Sequence, residues 1–367
     1  MPKKFMISGG GTGGHIFPAI SIADELKKRY PDAQFLFVGA KDKMEMERVP
    51  QAGYNIKGIW ISGIQRKLSA SNLAFPFKLL SSLGKCFSLI RKFKPDVVIG
   101  TGGFASGPLL YAASLKGIPT LIQEQNSYPG ITNKLLAKRA ESICVAYDKM
   151  ERFFPKEKIV FTGNPIRERI KNINIPRDVA NKEFNFQINR PTLLILGGSL
   201  GARKINQLIG ENLDWLLSLN LNILWQTGKL YIEELENKFG SKQGDHLKIQ
   251  AFLKNMDFAY AASDMVISRA GAGTISELSV AAKATLLIPS PNVAEDHQTK
   301  NALALFENEA ALLFRETESE SLFKSLIEKL IQPEEREKLS RNIKKMAKSE
   351  ASKSSGDQVD KILNNAG

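Results

Sequence analysis

The sequence predicts an α/β protein of two doubly wound, Rossmann-like domains that face each other across a cleft. Two observations carry this expectation. Short apolar runs alternate with helix-period stretches through both halves, the pattern of parallel sheets covered on both faces. A strand–glycine–helix passage also recurs. Gly9-Gly10-Gly11-Thr12-Gly13-Gly14 follows Phe5-Met6-Ile7, Gly102-Gly103-Phe104-Ala105-Ser106-Gly107-Pro108 follows Val97-Val98-Ile99, and Gly197-Gly198-Ser199-Leu200-Gly201 follows Leu193-Leu194-Ile195-Leu196. Such a passage aims unpaired backbone N–H groups and the positive end of a helix at one spot, which suits a phosphate.

In chain order, strands are expected at 4–8, 34–38, 96–100, 119–123, 142–146 and 158–162, with helical patterns such as Pro18 to Tyr30 and Thr132 to Arg139 between them. A polar stretch, 166–191, carries Pro176 and Pro191 and reads as the connection. Strands resume at 192–196 and continue near 222–226, 247–251, 264–268 and 284–288. Glu334 to Leu363 is lysine-rich, helical and without a further strand. The expected division is an N-terminal domain 1–165, a C-terminal domain 166–340, and a helical segment 341–367 that packs back on the first domain.

The 367 residues are ample for two domains. A hydrophobic content of 43% with 24% charged residues describes an ordinary globular chain. Cys86 and Cys144 are too few for a disulfide framework and read as reduced thiols of a cytosolic protein. No apolar run reaches the roughly 18 residues of a membrane span. Met1-Pro2-Lys3-Lys4 leads straight into a strand, so no signal peptide is expected. A formal net charge of +13 asks for an anionic partner. Zinc-finger spacing, an RNA-binding aromatic signature and a basic low-complexity tail are all missing, so nucleic acid is not an expected partner.

The glycine loops have a rival reading. Gly9-x-Gly11-x-x-Gly14 matches the dinucleotide fingerprint, but that fold needs an acid ending the second strand. Here the strand ends Phe37-Val38-Gly39-Ala40 and the first acid beyond is Asp42. A sugar-nucleotide enzyme fits better. His15 stands at the first turn of a helix in a glycine cradle. A lone histidine is commonly structural, yet there it could take a proton from an attacking hydroxyl.

Ser268-Arg269-Ala270-Gly271-Ala272-Gly273-Thr274-Ile275-Ser276-Glu277 follows the strand Met265-Val266-Ile267. Backbone N–H groups of Ala272 to Thr274 could hold a diphosphate, and Glu277 could accept two ribose hydroxyls or simply favour the helix start. Glu295-Asp296-His297-Gln298-Thr299-Lys300-Asn301 suits either sugar hydroxyls or a solvated helix start. Glu124-Gln125-Asn126 and Gly163-Asn164-Pro165-Ile166-Arg167 end two further strands. No Asp-x-Asp pair occurs, so no metal is expected to hold the donor; helix ends would take the leaving charge instead.

The segment 72–94 spaces Leu73, Phe77, Leu80, Leu83, Phe87 and Ile90 along one helical side and Lys78, Lys85 and Lys92 along another. Phe75 and Phe77 flank Pro76 and look superfluous to a core. Leu73, Phe75, Phe77, Lys78 and Lys85 are the expected contacts with an anionic bilayer. The alternative is a crossover helix whose lysines face water.

Together these segments closely resemble the MurG family, GT-B glycosyltransferases of family 28. The matching pieces are Gly10 to Pro18, Gly102 to Pro108, Glu124 to Asn126, Gly163 to Arg167, Gly197 to Arg203, Ser268 to Glu277 and Asp296 to Ala302, in the family's order over nearly the whole chain. The resemblance implies a hexosyltransferase of peptidoglycan synthesis, and so of cell shape and division. It would move N-acetylglucosamine from UDP-N-acetylglucosamine to an undecaprenyl-linked muramyl-pentapeptide, peripherally on the cytoplasmic face of the inner membrane and without a cofactor. By the same resemblance Leu253 reads uracil through its backbone and Arg269 sits behind the nucleotide. Ser199 with Ala272, Gly273 and Thr274 contacts the diphosphate, Glu277 the ribose, and Gln298 with His297 the sugar. Thr12, Gly13, Gly14, Asn126 and Arg167 complete the donor site, and Gly102, Gly103 and Ser106 meet the acceptor's diphosphate.

Phe104, Gln123, His297 and Gly273 depart from frequent family residues. The base is expected to be His15, with Glu124 as second choice. Another glycolipid transferase of this fold, a UDP-N-acetylglucosamine epimerase and a nucleotide-binding membrane adaptor are the alternatives.

Overall fold

The computed structural model describes residues 2–63, 74–198, 200–293 and 296–365. The chain divides into two compact units, Met1–Arg167 with Lys348–Gly367, and Glu168–Ala347. The first holds β1 (Lys4–Ser8), β2 (Gln34–Ala40), β3 (Ile56–Ile59), β4 (Val97–Gly100), β5 (Thr120–Glu124), β6 (Ser142–Val145) and β7 (Ile159–Phe161). They form one parallel sheet in the order β3-β2-β1-β4-β5-β6-β7. The second unit holds β8 (Thr192–Leu196), β9 (Asn222–Gln226), β10 (Leu247–Gln250), β11 (Met265–Ser268), β12 (Ala284–Leu287) and β13 (Leu312–Leu313). These are parallel in the order β10-β9-β8-β11-β12-β13.

Period-two geometry, with helices on both faces of the sheet, explains why the inner strand β1 is apolar at successive positions. In β1, Phe5 and Ile7 join Ile16, Ile22 and Leu26 of the helix Gly13–Arg29 on one face. Met6 joins Cys86 and Ile90 of the helix Phe75–Phe93 and Leu109 of the helix Ser106–Leu115 on the other. Both cysteines are buried free thiols whose pKa values burial pushes up to about 12.

Two strands escaped the sequence reading. β3 and β13 are edge strands; β3 contains Lys57 and Gly58, and β13 has only Leu312 and Leu313. Strands so short or so interrupted show no apolar run, whereas the other two edge strands, β7 and β10, keep enough apolar residues to be read. The stretch 166–191 contains the helices Glu168–Lys171 and Arg177–Glu183, and Arg177 pairs with Asp264 at 2.7 Å. The helix Pro333–Lys345 carries Leu339 into the second unit's core. The last helix, Ala351–Asn365, lies on the first unit. There the Arg29 guanidinium donates to Asp357 at 2.8 Å and Asp360 at 2.6 Å, and Val359 is buried with Phe5 and Leu26.

Candidate active site

Each sheet reverses its strand order beside its first strand, between β1 and β4 in one unit and between β8 and β11 in the other. Ligands of doubly wound sheets bind beyond the carboxyl ends of the strands at that point. All the glycine-rich passages leave from these strands. Gly9 to Thr12 leaves β1, Thr101 to Ala105 leaves β4, Gly197 to Ala202 leaves β8 and Arg269 to Gly271 leaves β11. Ser199 of the third passage lies outside the described residues, as do Leu73 and Glu295.

In the first unit the two loops pack on each other. Gly10 N–H donates to the Gly102 carbonyl at 3.3 Å, and the Thr101 hydroxyl donates to the His15 carbonyl at 2.7 Å. Gly102 and Gly103 adopt φ of +100° and +87°, where an L side chain is strained. A Cβ on Gly103 would lie 2.3 Å from the Gly10 oxygen, and one on Gly102 would lie 3.0 Å from His15 Nε2. The imidazole therefore rests on a floor that only glycine can make.

His15 Nδ1 lies 3.0 Å from the Gly10 carbonyl oxygen. A carbonyl only accepts, so this partner requires the proton on Nδ1 and leaves the lone pair on Nε2. Burial pushes the His15 pKa below its ordinary value, against the hydrogen bond to Gly10 and the charge of Glu45. The half-buried ring is thus biased toward the neutral form that can accept a proton. Thr12 is extended, with φ −147°, and its carbonyl accepts from His15 N–H at 3.1 Å to begin the helix. Gly13 and Gly14 form that helix's first turn.

Glu124 ends β5 and is buried. Its Oε1 accepts from the Asn126 backbone at 2.9 Å and the Asn126 amide at 3.2 Å; its Oε2 accepts from Gly130 N–H at 3.2 Å and the Asn133 amide at 2.8 Å. Burial raises its pKa, and these four donors oppose the rise. The arrangement is that of an anchor for the 126–130 loop. Ser106 donates its hydroxyl to the Gly103 carbonyl at 2.8 Å, bracing the turn rather than pointing an unused O–H outward. Arg167 is half-buried at the end of the first unit.

In the second unit the helix Ala272–Val280 starts directly after Gly271, so Ala272, Gly273 and Thr274 present the N–H groups of its first turn. Asn301 steadies that entry by donating to the Ala270 carbonyl at 3.3 Å. Glu277 is buried and accepts from the Tyr260 hydroxyl at 3.2 Å. Arg269 is held by Glu316 at 2.6 Å and by the Ile288 carbonyl at 3.0 Å, so it ties two strand ends together. The Leu253 N–H donates to Gln226 Oε1 at 3.0 Å, which occupies half of the backbone edge assigned to uracil.

His297 and Gln298 open the helix His297–Phe306, entered through Asp296 at φ +53°. Gln298 Oε1 accepts from Ser290 N–H at 2.9 Å. Glu45, Thr101, Asn133, Gln226 and Tyr260 were missed by sequence reasoning. They support other groups from a distance in sequence, and nothing in the local pattern marks them.

In the helix Phe75–Phe93, three of the expected lipid contacts have partners within the protein. Phe75 packs against the core. The Lys78 amine donates to the Ser62 hydroxyl at 2.9 Å and the Lys85 amine to the Gly58 carbonyl at 2.7 Å. An ammonium group needs acceptors, and here the edge strand β3 and the segment after it supply them. Phe77 and Leu80 remain 70% and 68% exposed. Among the described residues, no helix is long and apolar enough to cross a membrane.

Residues 5–145 match the glycosyltransferase family 28 N-terminal domain and residues 192–358 match its C-terminal domain. The chain is 56% identical over 361 residues to the UDP-N-acetylglucosamine--N-acetylmuramyl-(pentapeptide) pyrophosphoryl-undecaprenol N-acetylglucosamine transferase of Flavobacterium psychrophilum, covering 98% of each. It is 53% identical to the transferase of the same name from Christiangramia forsetii, covering 99% of this chain and 98% of that one. Among solved structures, the crystal structure of Acinetobacter baumannii MurG superposes with a TM-score of 0.77 at 30% identity, covering 98% of this chain and 100% of the other. With both family domains matched, and relatives of this identity aligned along nearly their whole length, the chain belongs to glycosyltransferase family 28.

Proposed function

We propose that the protein transfers N-acetylglucosamine from UDP-N-acetylglucosamine to the C4 hydroxyl of undecaprenyl-diphospho-N-acetylmuramoyl-pentapeptide, with inversion at C1. The observation that carries this reading is the 56% identity, along 98% of both chains, to a transferase of that name. His15 Nε2 takes the proton as the C4 oxygen attacks C1. The bond from C1 to the diphosphate breaks, and UDP leaves with the electron pair. His15 is the base because Nε2 keeps its lone pair, whereas the Glu124 oxygens already take four donors.

The leaving diphosphate lies against the N–H groups of Ala272 to Thr274, where the helix end stabilises developing negative charge. Glu277 binds the ribose hydroxyls, and the His297–Gln298 turn the sugar. The loop at Gly102, Gly103 and Ser106 meets the acceptor's diphosphate. Radiolabel transfer from UDP-N-acetylglucosamine to the lipid-linked muramyl acceptor, in the presence of EDTA, tests this assignment. Transfer is expected at the same rate with and without the chelator. Conversion of the donor without an acceptor would favour an epimerase, and a need for added divalent ion would overturn the role given to the helix end.

The protein works as a peripheral enzyme on the cytoplasmic face of the membrane. Phe77 and Leu80, exposed on successive turns of one helix, support this reading. Fully burying such a side chain is worth roughly 1.5–3 kcal/mol. The double substitution F77S/L80S is therefore expected to weaken binding to phosphatidylglycerol vesicles by at least about tenfold in a sedimentation assay. Undiminished binding would remove this helix from the contact.

A further inference from the structure

We infer that Glu45 is a positioning residue for the reaction, acting on His15 through the single peptide unit that joins Gly10 to Gly11. The inference rests on His15 being the base. Glu45 opens the short helix Glu45–Gln51, and its side chain is wholly buried. Oε2 accepts from Gly11 N–H at 2.9 Å and Oε1 from Ala40 N–H at 3.0 Å. Space for the carboxylate comes from two glycines: a Cβ on Gly10 would lie 2.2 Å from Oε1, and one on Gly39 would lie 2.5 Å from Cγ.

Gly11 N–H and Gly10 C=O belong to one peptide group, and the described residues contain no cis peptide bond. In a trans peptide these two groups point in opposite directions. The N–H faces Glu45, and the C=O faces His15 Nδ1 at 3.0 Å. A charged acceptor on the N–H polarises the group and makes its carbonyl a stronger acceptor. The relay thereby holds the proton on Nδ1, keeps the lone pair on Nε2, and stabilises the imidazolium once Nε2 has taken the acceptor's proton. The loops packed on the ring, Gly9 to Thr12 and Thr101 to Gly103, carry no charged side chain. The charge acting on the imidazole is that of Glu45.

Nitrogen-15 NMR of the full-length protein reads the tautomer directly, and with three histidines in the chain the His15 signals can be assigned by H15A. Wild type is expected to show neutral His15 protonated on Nδ1. Folded E45Q is expected to show mixed tautomers. Its kcat should fall about tenfold, as when a group orienting a working imidazole is removed, with the KM for UDP-N-acetylglucosamine little changed. The acid limb of its kcat profile moves to lower pH, because a charge that raises the imidazole pKa is gone. E45D, which keeps the charge, recovers part of the rate. In an H15A background E45Q lowers the residual rate no further.

Wild-type protonation on Nε2 overturns the inference even if E45Q fails to fold. So does a folded E45Q with the wild-type tautomer, or an E45Q loss that persists in the H15A background. Near-full turnover by H15A alone has a different meaning: it removes the base, and the rate role of Glu45 with it, whatever the tautomer spectrum shows.

Discussion

His15→Ala is expected to lower turnover by about 10²- to 10⁴-fold, the contribution of a positioned general base. The KM for UDP-N-acetylglucosamine should change little, since the ribose, diphosphate and sugar contacts proposed above come from Ala272 to Glu277 and the His297–Gln298 turn, not from the imidazole. The wild-type pH profile supplies a second readout. Burial lowers the His15 pKa, so the base form persists below the ordinary imidazole value of about 6.5. Turnover should hold through neutrality and fall only as pH drops through the depressed value.

Stability follows the same sign. The folded state binds fewer protons at His15 than the unfolded state does. The site therefore loses stability as pH falls from the unfolded pKa toward the folded one, and H15A should flatten that part of the denaturation profile. Near-full turnover of H15A with the lipid acceptor would rule His15 out as the base.

Glu277→Ala is expected to lower kcat/KM for UDP-N-acetylglucosamine by about 10²- to 10⁴-fold. Each hydrogen bond to a charged group is worth about 1.5–3 kcal/mol, and the ribose offers two hydroxyls. The effect should fall mainly on KM and on UDP affinity measured by calorimetry, because ribose binding is the same before and during the transfer. Tyr260→Phe separates contact from support. It removes the hydroxyl that holds the Glu277 carboxylate at 3.2 Å and should weaken UDP binding only several-fold. Wild-type UDP affinity in E277A would take the ribose away from Glu277.

Much of the fold is legible in the sequence. Strands such as β1 and β8 are buried on both faces, so they appear as unbroken apolar runs. The glycines that follow them mark chain reversals at strand ends. The strands β3 and β13 were not legible, because Lys57 and Gly58 interrupt the first and the second is only two residues long. In the candidate site, residues that lie in the glycine passages, such as His15 and Ala272 to Thr274, could be picked out. Those that act from behind could not. Glu45 is an ordinary acid in the first turn of a short helix, and only its approach to Gly11 gives it a role. Glu124 looked like a second base until Asn126, Gly130 and Asn133 were seen to take its oxygens. The lysines at 78 and 85 read as a lipid-facing stripe; that they also reach acceptors at Ser62 and Gly58 was not legible from their spacing.

The sequence by itself determined the two doubly wound sheets, the placement of glycine loops at their strand ends, and the family. These depend on periodicity and local backbone freedom, which neighbouring residues encode. The tertiary structure decided which ring nitrogen of His15 faces the Gly10 carbonyl, which carboxylate anchors a loop and which one faces the peptide behind the histidine. Those outcomes depend on hydrogen bonds between residues far apart in the chain, such as Gly11 with Glu45 and Thr101 with His15. A hydrogen bond is directional over about 3 Å, and only the packed fold brings such partners within that distance.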